Sequence, residues 1–169
     1  MEYVLIESEQ LVVMAAKGTT LAGKHMDGAE IDITEAADEQ FVSLKAGHSV
    51  RIIQDRLFAQ HGMRPRILLE SDSFETAKHI AARANAVMIT PYVYIEHVPI
   101  LRPLVKCFPI KDLSYERHFY MCYRKGQYVT RYMQYLLELV RDMVEEDRFG
   151  SPTDARITLP QADQHSLPG

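Results

Sequence analysis

The chain has 169 residues, 47% of them hydrophobic and 25% charged, with a net charge of −4. That length fits one core-forming domain, or one domain plus a tail, and the acidic balance excludes a general electrostatic pull toward nucleic acid or an anionic membrane. Two cysteines, Cys107 and Cys122, make no disulfide framework; no apolar run reaches the ~18–20 residues of a membrane span, and the acidic N-terminus lacks a secretory pattern, so a soluble cytoplasmic protein is expected.

Leu11–Ala16 is continuously apolar, the pattern of a strand buried on both faces as in a parallel sheet. Residues 19–38 are polar and glycine-punctuated, a connection with at most a short helix. Phe41-Val42-Ser43-Leu44 is a short buried strand, broken by Lys45-Ala46-Gly47. A helix follows, with Val50, Ile53, Leu57 and Phe58 on one face, and Gly62 and Pro65 end it. Ile67-Leu68-Leu69 is the next strand. Asp72 and Glu75 have capping-box spacing, with Ser73 as the competing cap. The helix they open is expected to bury Phe74, Ala77, Ile80, Ala81 and Ala84. Val87-Met88-Ile89 is a third strand, ended by Pro91. Residues 41–89 therefore alternate strand and helix, the signature of a parallel sheet.

Residues 104–109 and 117–123 are two further strands, and both cysteines, one on each, are expected to be small buried hydrophobes. The run of basic and aromatic residues at 115–124 has the mixed character of a nucleic-acid surface, but its alternation fits an ordinary strand. Thr130 is a candidate cap for a last helix, whose stripe of Val129, Met133, Leu136, Leu137, Val140, Met143 and Val144 is expected to be core. Residues 151–169 hold three prolines and little periodicity, and read as a tail.

Four segments, taken in order, resemble the effector-binding domains of LysR-type transcriptional regulators. They are residues 11–22 with Gly18 and Leu21-Ala22; Phe41-Val42-Ser43-Leu44 with Gly47-His48-Ser49-Val50-Arg51; Ser71-Asp72-Ser73-Phe74-Glu75-Thr76 through Ile89-Thr90-Pro91; and Glu116-Arg117 with Tyr123-Arg124-Lys125-Gly126 and Tyr128-Val129-Thr130. Gly47-His48-Ser49 is closest to the peroxide-sensing members, which carry a reactive cysteine where Ser49 stands. A hydroxyl does no thiol redox chemistry, so peroxide sensing is not expected. The family's glycine pair before the proline-ended strand is replaced by Ala84-Asn85-Ala86.

The resemblance implies an α/β fold like the type-2 periplasmic binding proteins, with one complete α/β subdomain and part of a second, beginning partway through the first subdomain and without the helix-turn-helix. Its expected division is 1–40, partial first subdomain and crossover; 41–100, second subdomain; 101–149, return strands and last helix; 150–169, tail. It implies a sensor of a small polar or anionic metabolite, with no DNA contact by this chain itself, no membrane contact, and a homo-oligomeric state. The alternatives are a solute-binding protein of the periplasmic type and a protein-interaction remnant that binds no ligand.

A ligand site is expected where three adjacent parallel strands release their C-terminal loops. Those loops carry Lys45, Gly47, His48 and Ser49; Ser71 and Ser73; and Thr90, Pro91 and Tyr92. Each has a second reading: Ser71 and Ser73 as caps, His48 and Ser49 as a helix start, Lys45 as a solvated charge, Tyr92 as surface packing. No phosphate loop, no serine nucleophile elbow and no histidine pair at metal spacing occurs in the sequence, so neither an enzyme nor a cofactor is expected.

Overall fold

The computed structural model describes residues 1–113, 117–126 and 130–149. They fall into two compact units, 1–123 and 124–169. Glu116, Tyr128, Val129 and the tail lie outside the described residues.

The first unit opens with β1 (Glu2–Glu9), which turns through Gln10 directly into β2 (Leu11–Ala16). After β2 come α1 (Thr20–Lys24), capped by the Thr19 hydroxyl, and a 3-10 turn at Ile33–Ala36 with a complete Asp32/Glu35 capping box. Then follow β3 (Gln40–Leu44), α2 (Ser49–Gln60), β4 (Arg66–Ser71), α3 (Phe74–Arg83), β5 (Val87–Pro91), the short α4 (Val93–Glu96), β6 (Val105–Pro109) and β7 (Arg117–Tyr123). The second unit contributes α5 (Arg131–Phe149).

Five strands form one sheet in the order β4-β3-β5-β2-β6. β3 is parallel to both β4 and β5, as the strand–helix alternation requires. β2 is antiparallel to β5 and to β6. All six β2 residues are buried, because the strand is paired on both edges and covered on both faces. The expectation of a parallel β2 is thus corrected: continuous apolarity reports burial of both faces, and a central strand of a mixed sheet meets that condition in either direction. β2 and β6 also complete the sheet that residues 41–100 were expected to hold alone, so the boundaries at 40/41 and 100/101 cut through one hydrogen-bonded sheet. β1 and β7 form a separate antiparallel ribbon, from Glu2 opposite Tyr123 to Glu9 opposite Arg117.

The core gathers Val13, Met14, Phe41, Val42, Met88, Ile89 and Phe108, with Phe41 edge-on to Phe58 of α2 at 5.0 Å. α3 buries Ala77, Lys78, Ala81 and Ala82, while Phe74 and Ile80 are half-buried and Ala84 is exposed. Its cap is Ser73, whose Oγ accepts from Thr76 N at 3.2 Å, so the Asp72 cap is displaced by one residue. At its other end Asn85 adopts φ 51, and Ala86 N donates back to Ala81 O at 3.2 Å. This is the closure that normally takes glycine; asparagine tolerates the left-handed region well enough to stand in for the family's glycine pair.

Two burial expectations are corrected. Cys107 is buried but Cys122 is exposed, because β7 pairs only with β1 in a ribbon. In α5, capped by Thr130 Oγ1 accepting from Met133 N at 3.3 Å, the stripe residues whose side chains are described are half-buried at Met133, Leu137 and Val140 and more than half exposed at Leu136 and Met143. Among its described residues, the second unit has no sheet for that stripe to cover.

Candidate functional site

The C-terminal ends of β3, β4 and β5 share one edge of the sheet, and that edge holds two separate hollows. The first, of about 220 Å³, is lined by Lys45, Ala46, Gly47 and His48 from the loop after β3 and by Ser71 and Asp72 from the loop after β4. Lys45 N donates to Ser71 O at 3.0 Å and holds the two loops together. The chain then turns through Gly47, whose φ of +94 suits glycine. His48 follows as the N-cap of α2, without a side-chain capping bond.

The polar groups in this hollow are unequally committed. Ser71 Oγ is used locally, accepting from Ser73 N at 3.1 Å and donating to Ser73 O at 3.0 Å. Lys45 Nζ pairs with Asp72 Oδ2 at 2.5 Å, and that pair raises the lysine pKa above its ordinary value. Both side chains are more than half exposed, so the pair is easily exchanged for another partner. His48 Nδ1 is buried without a hydrogen-bond partner, and its ring lies 5.9 Å from that of Phe74.

Arg51 braces the floor, and sequence reasoning gave it no role. It donates to Leu44 O at 2.8 Å, to Asp55 at 2.7 Å and to Glu70 at 2.5 Å, tying the first turn of α2 to the ends of β3 and β4. Buried Gln54 adds a bond to Ser43 Oγ at 2.8 Å.

The structure therefore brings Lys45, Gly47, His48 and Ser71 together. Ser49, exposed on the first turn of α2, and Ser73, the cap of α3, flank this group without lining the hollow. Thr90 and Pro91 are buried in β5, with the Thr90 hydroxyl turned to Pro91 O at 3.2 Å. Tyr92 lines the second hollow, of about 160 Å³, with Gln10, Val12, Asp27, Gly28, Cys107 and Pro109. The two linings share no residue. Asp72 entered the sequence reading only as a cap, and Asp27 not at all.

Among the described residues, no group of three or more His, Cys, Asp or Glu side chains is placed to hold a metal, and no helix is long and apolar enough to cross a membrane.

The family model described as LysR substrate binding domain matches residues 1–145. The chain is 29% identical over 90 residues to the uncharacterized HTH-type transcriptional regulator YybE of Bacillus subtilis, an alignment covering 53% of this chain and 30% of that protein. Among solved structures, the CcmR regulatory domain of Synechocystis PCC6803 in complex with 2-PG is similar, with a TM-score of 0.70 and 24% identity over 85% of this chain and 67% of that one. The effector-binding domain of QuiR in complex with shikimate gives 0.64 and 20%, covering 86% and 66%. That of BenM with benzoate gives 0.63 and 17%, covering 89% and 66%. The chain thus spans about two thirds of these solved domains and less than a third of its curated relative. Their common architecture is α/β and like that of the type-2 periplasmic binding proteins. By these matches the chain belongs to the LysR substrate-binding-domain family, the effector-sensing regulatory part of LysR-type transcriptional regulators.

Proposed function

We propose that the hollow at Lys45, Gly47, His48 and Ser71 is where this module contacts its effector, and that the effector is a small polar or anionic metabolite. The observation that carries this reading is the gathering of an exchangeable ammonium, an unpartnered buried imidazole nitrogen and the N-terminal loops of two helices around one space. Helix N-termini offer free N–H groups and the positive end of a dipole, which favour an acid group. Ser49 and Ser73 stand at the rim of the same site, with Thr90, Pro91 and Tyr92 farther along the edge. The acids named with the CcmR, QuiR and BenM domains support an acidic effector here. Family membership favours this sensor over the solute-binding alternative. In this reading the module works in the cytoplasm, performs no catalysis and touches neither DNA nor membrane itself.

The test is a binding panel of 2-PG, shikimate and benzoate against the chain, with Lys45→Ala and His48→Ala. At least one acid binds, and each substitution weakens it about tenfold, equivalent to about 1.4 kcal/mol. Acid binding that is indifferent to both substitutions removes the site assignment.

The homo-oligomer belongs to the same proposal. β4 is one of the sheet's two edge strands and exposes Ile67, Leu68 and Leu69 by 38%, 43% and 38%. An apolar edge of this kind is a pairing surface for a second copy. Leu68→Lys lowers the sedimentation-derived mass if it is one; an unchanged mass rules this edge out.

A further inference from the structure

α5 carries more apolar surface than one packing face needs. At 100° per residue its apolar positions sweep an arc of roughly 200°, from Tyr135 on one side to Leu137 on the other, about twice the stripe that seats a helix on a core. The arc divides in two. Met133, Leu137 and Val140 form a half that is partly buried. Tyr132, Leu136, Leu139 and Met143 form the other half, where Tyr132 is 87%, Leu136 52% and Met143 58% exposed and Leu139 is half-buried. Tyr135, 53% exposed, borders this second stripe. Arg131, Gln134, Glu138, Arg141 and Asp142 occupy the polar arc that remains.

The spacing of the exposed stripe, four residues, then three, then four, is that of a coiled-coil seam, the pattern by which a helix meets another helix. It is the same read from either end. Two copies running antiparallel therefore match, with Tyr132 beside Met143 of the second copy and Leu136 beside Leu139 of the second copy. Charge selects that direction over the parallel one. Residues 124–137 carry Arg124, Lys125 and Arg131 and no acidic residue, whereas 138–149 carry five acidic residues and two arginines. A parallel pair sets like charge beside like along its length. An antiparallel pair lays the basic start of each helix beside the acidic second half of the other, and opposes the two helix dipoles.

We propose that the stripe Tyr132, Leu136, Leu139 and Met143 docks the same stripe of a second copy of this chain, the two α5 helices running antiparallel about a two-fold axis between Leu136 and Leu139. Such a pairing uses one surface on both copies, so by itself it stops at a dimer. The seam covers only about three turns. The interface is therefore small, and the dimer dissociates in the micromolar range. This surface is separate from the β4 edge and from the hollow at Lys45, and the pairing depends on neither.

The experiment is sedimentation equilibrium of the full chain carrying Leu68→Lys, so that the β4 edge takes no part. The chain shows a monomer–dimer equilibrium over micromolar concentrations, and added salt weakens it. Adding Leu136→Lys sets an ammonium in the seam and raises the dissociation constant about tenfold or more, whereas Gln134→Lys, on the polar arc, leaves it unchanged. Both positions are exposed, and circular dichroism checks that the helix is kept. Direction is read by oxidation, with Cys122→Ser in place. Chains with Tyr132→Cys and with Met143→Cys form a disulfide when mixed and none when alone, because in the antiparallel pair the two copies of position 132 lie roughly 16 Å apart along the axis. A monomer at every concentration leaves the stripe to another occupant, and the proposal is wrong. A dimer indifferent to Leu136→Lys overturns it as well, and so does a Tyr132→Cys chain that links to itself, which means a parallel pair. An association of the parent chain that Leu68→Lys alone abolishes keeps the β4 edge and removes this pairing.

Discussion

Lys78 is the least expected member of the core. Its side chain on α3 is only 2% exposed, yet it carries an ammonium. Nζ donates to Tyr94 O in α4 at 2.9 Å and pairs with Glu75 Oε1 at 2.7 Å. The two partners differ in worth. Glu75 is 68% exposed, so its attraction is screened by water and contributes at most about 1 kcal/mol. The bond to the Tyr94 carbonyl is charge-assisted and half-buried, in the range of about 1.5–3 kcal/mol. Replacing Lys78 by methionine keeps the stem in the core and removes the donor, leaving that carbonyl unpaired. Relief of the buried charge offsets part of the loss. The expected net cost is about 1–2 kcal/mol, read as a lower midpoint in urea unfolding followed by circular dichroism, at unchanged slope. Glu75→Ala costs less than half as much, and nothing further once Lys78→Met is in place. If Lys78→Met is as stable as the parent, desolvation outweighs the bond and the reasoning is wrong. If Glu75→Ala costs as much as Lys78→Met, the exposed partner has been undervalued.

Three further outcomes follow from local geometry. A Cβ at Gly18 comes within 2.2 Å of Asn85 Oδ1, so Gly18→Ala destabilises by about 1–3 kcal/mol in urea unfolding, and adding Asn85→Gly, which removes the obstruction and keeps the left-handed turn, recovers most of it. Ser73→Ala removes the α3 cap at a cost of about 1 kcal/mol, whereas Asp72→Ala leaves stability within about 0.5 kcal/mol; the same melts settle which residue is the cap. A thiol reagent at pH 8 labels Cys122 promptly and Cys107 only on unfolding. Because burial raises the Cys107 thiol from 9.0 to about 11, its contribution to folding is complete below pH 9 and is lost as pH rises through 11; two fast-reacting thiols in the native chain contradict this.

The elements read correctly from sequence are those whose signals are local. α2 and α3 have helical apolar spacing and glycine or asparagine stops, and β3 and β5 are short apolar runs between them. β1 escaped notice because its reason for being a strand is β7, more than a hundred residues away. Lys78 is absent from the expected core because a lysine's type argues for solvent, and only the Tyr94 carbonyl across a tertiary contact reverses that. The meeting of Lys45, Gly47, His48 and Ser71 at one hollow was legible because loops after parallel strands must share an edge. Tyr92 obeys the same rule but joins another hollow, since its N–H is drawn to Gln10 O. Asp27 and Arg102 lie 75 residues apart and match no motif, so nothing short of the fold pairs them.

The reversed direction of β2 decides where the ribbon joins the sheet. Because β2 runs against its neighbours, its first residue, Leu11, lies opposite Pro91 at the end of β5, and Val12 opposite Pro109 at the end of β6. The chain therefore enters the sheet at the very edge where the parallel strands deliver their loops. Just before this, at Glu9, the chain belongs to the ribbon with β7, where buried Glu9 pairs with Arg117 at 3.0 Å. Had β2 been parallel, the ribbon would have joined at the opposite edge, a strand's length from both hollows. As built, the ribbon's attachment through Gln10 borders one hollow directly and shares an edge with the other. The ribbon is joined to the sheet at this edge twice, from β1 through Gln10 into β2 and from β6 on to β7, so both connections share the edge that holds the two hollows.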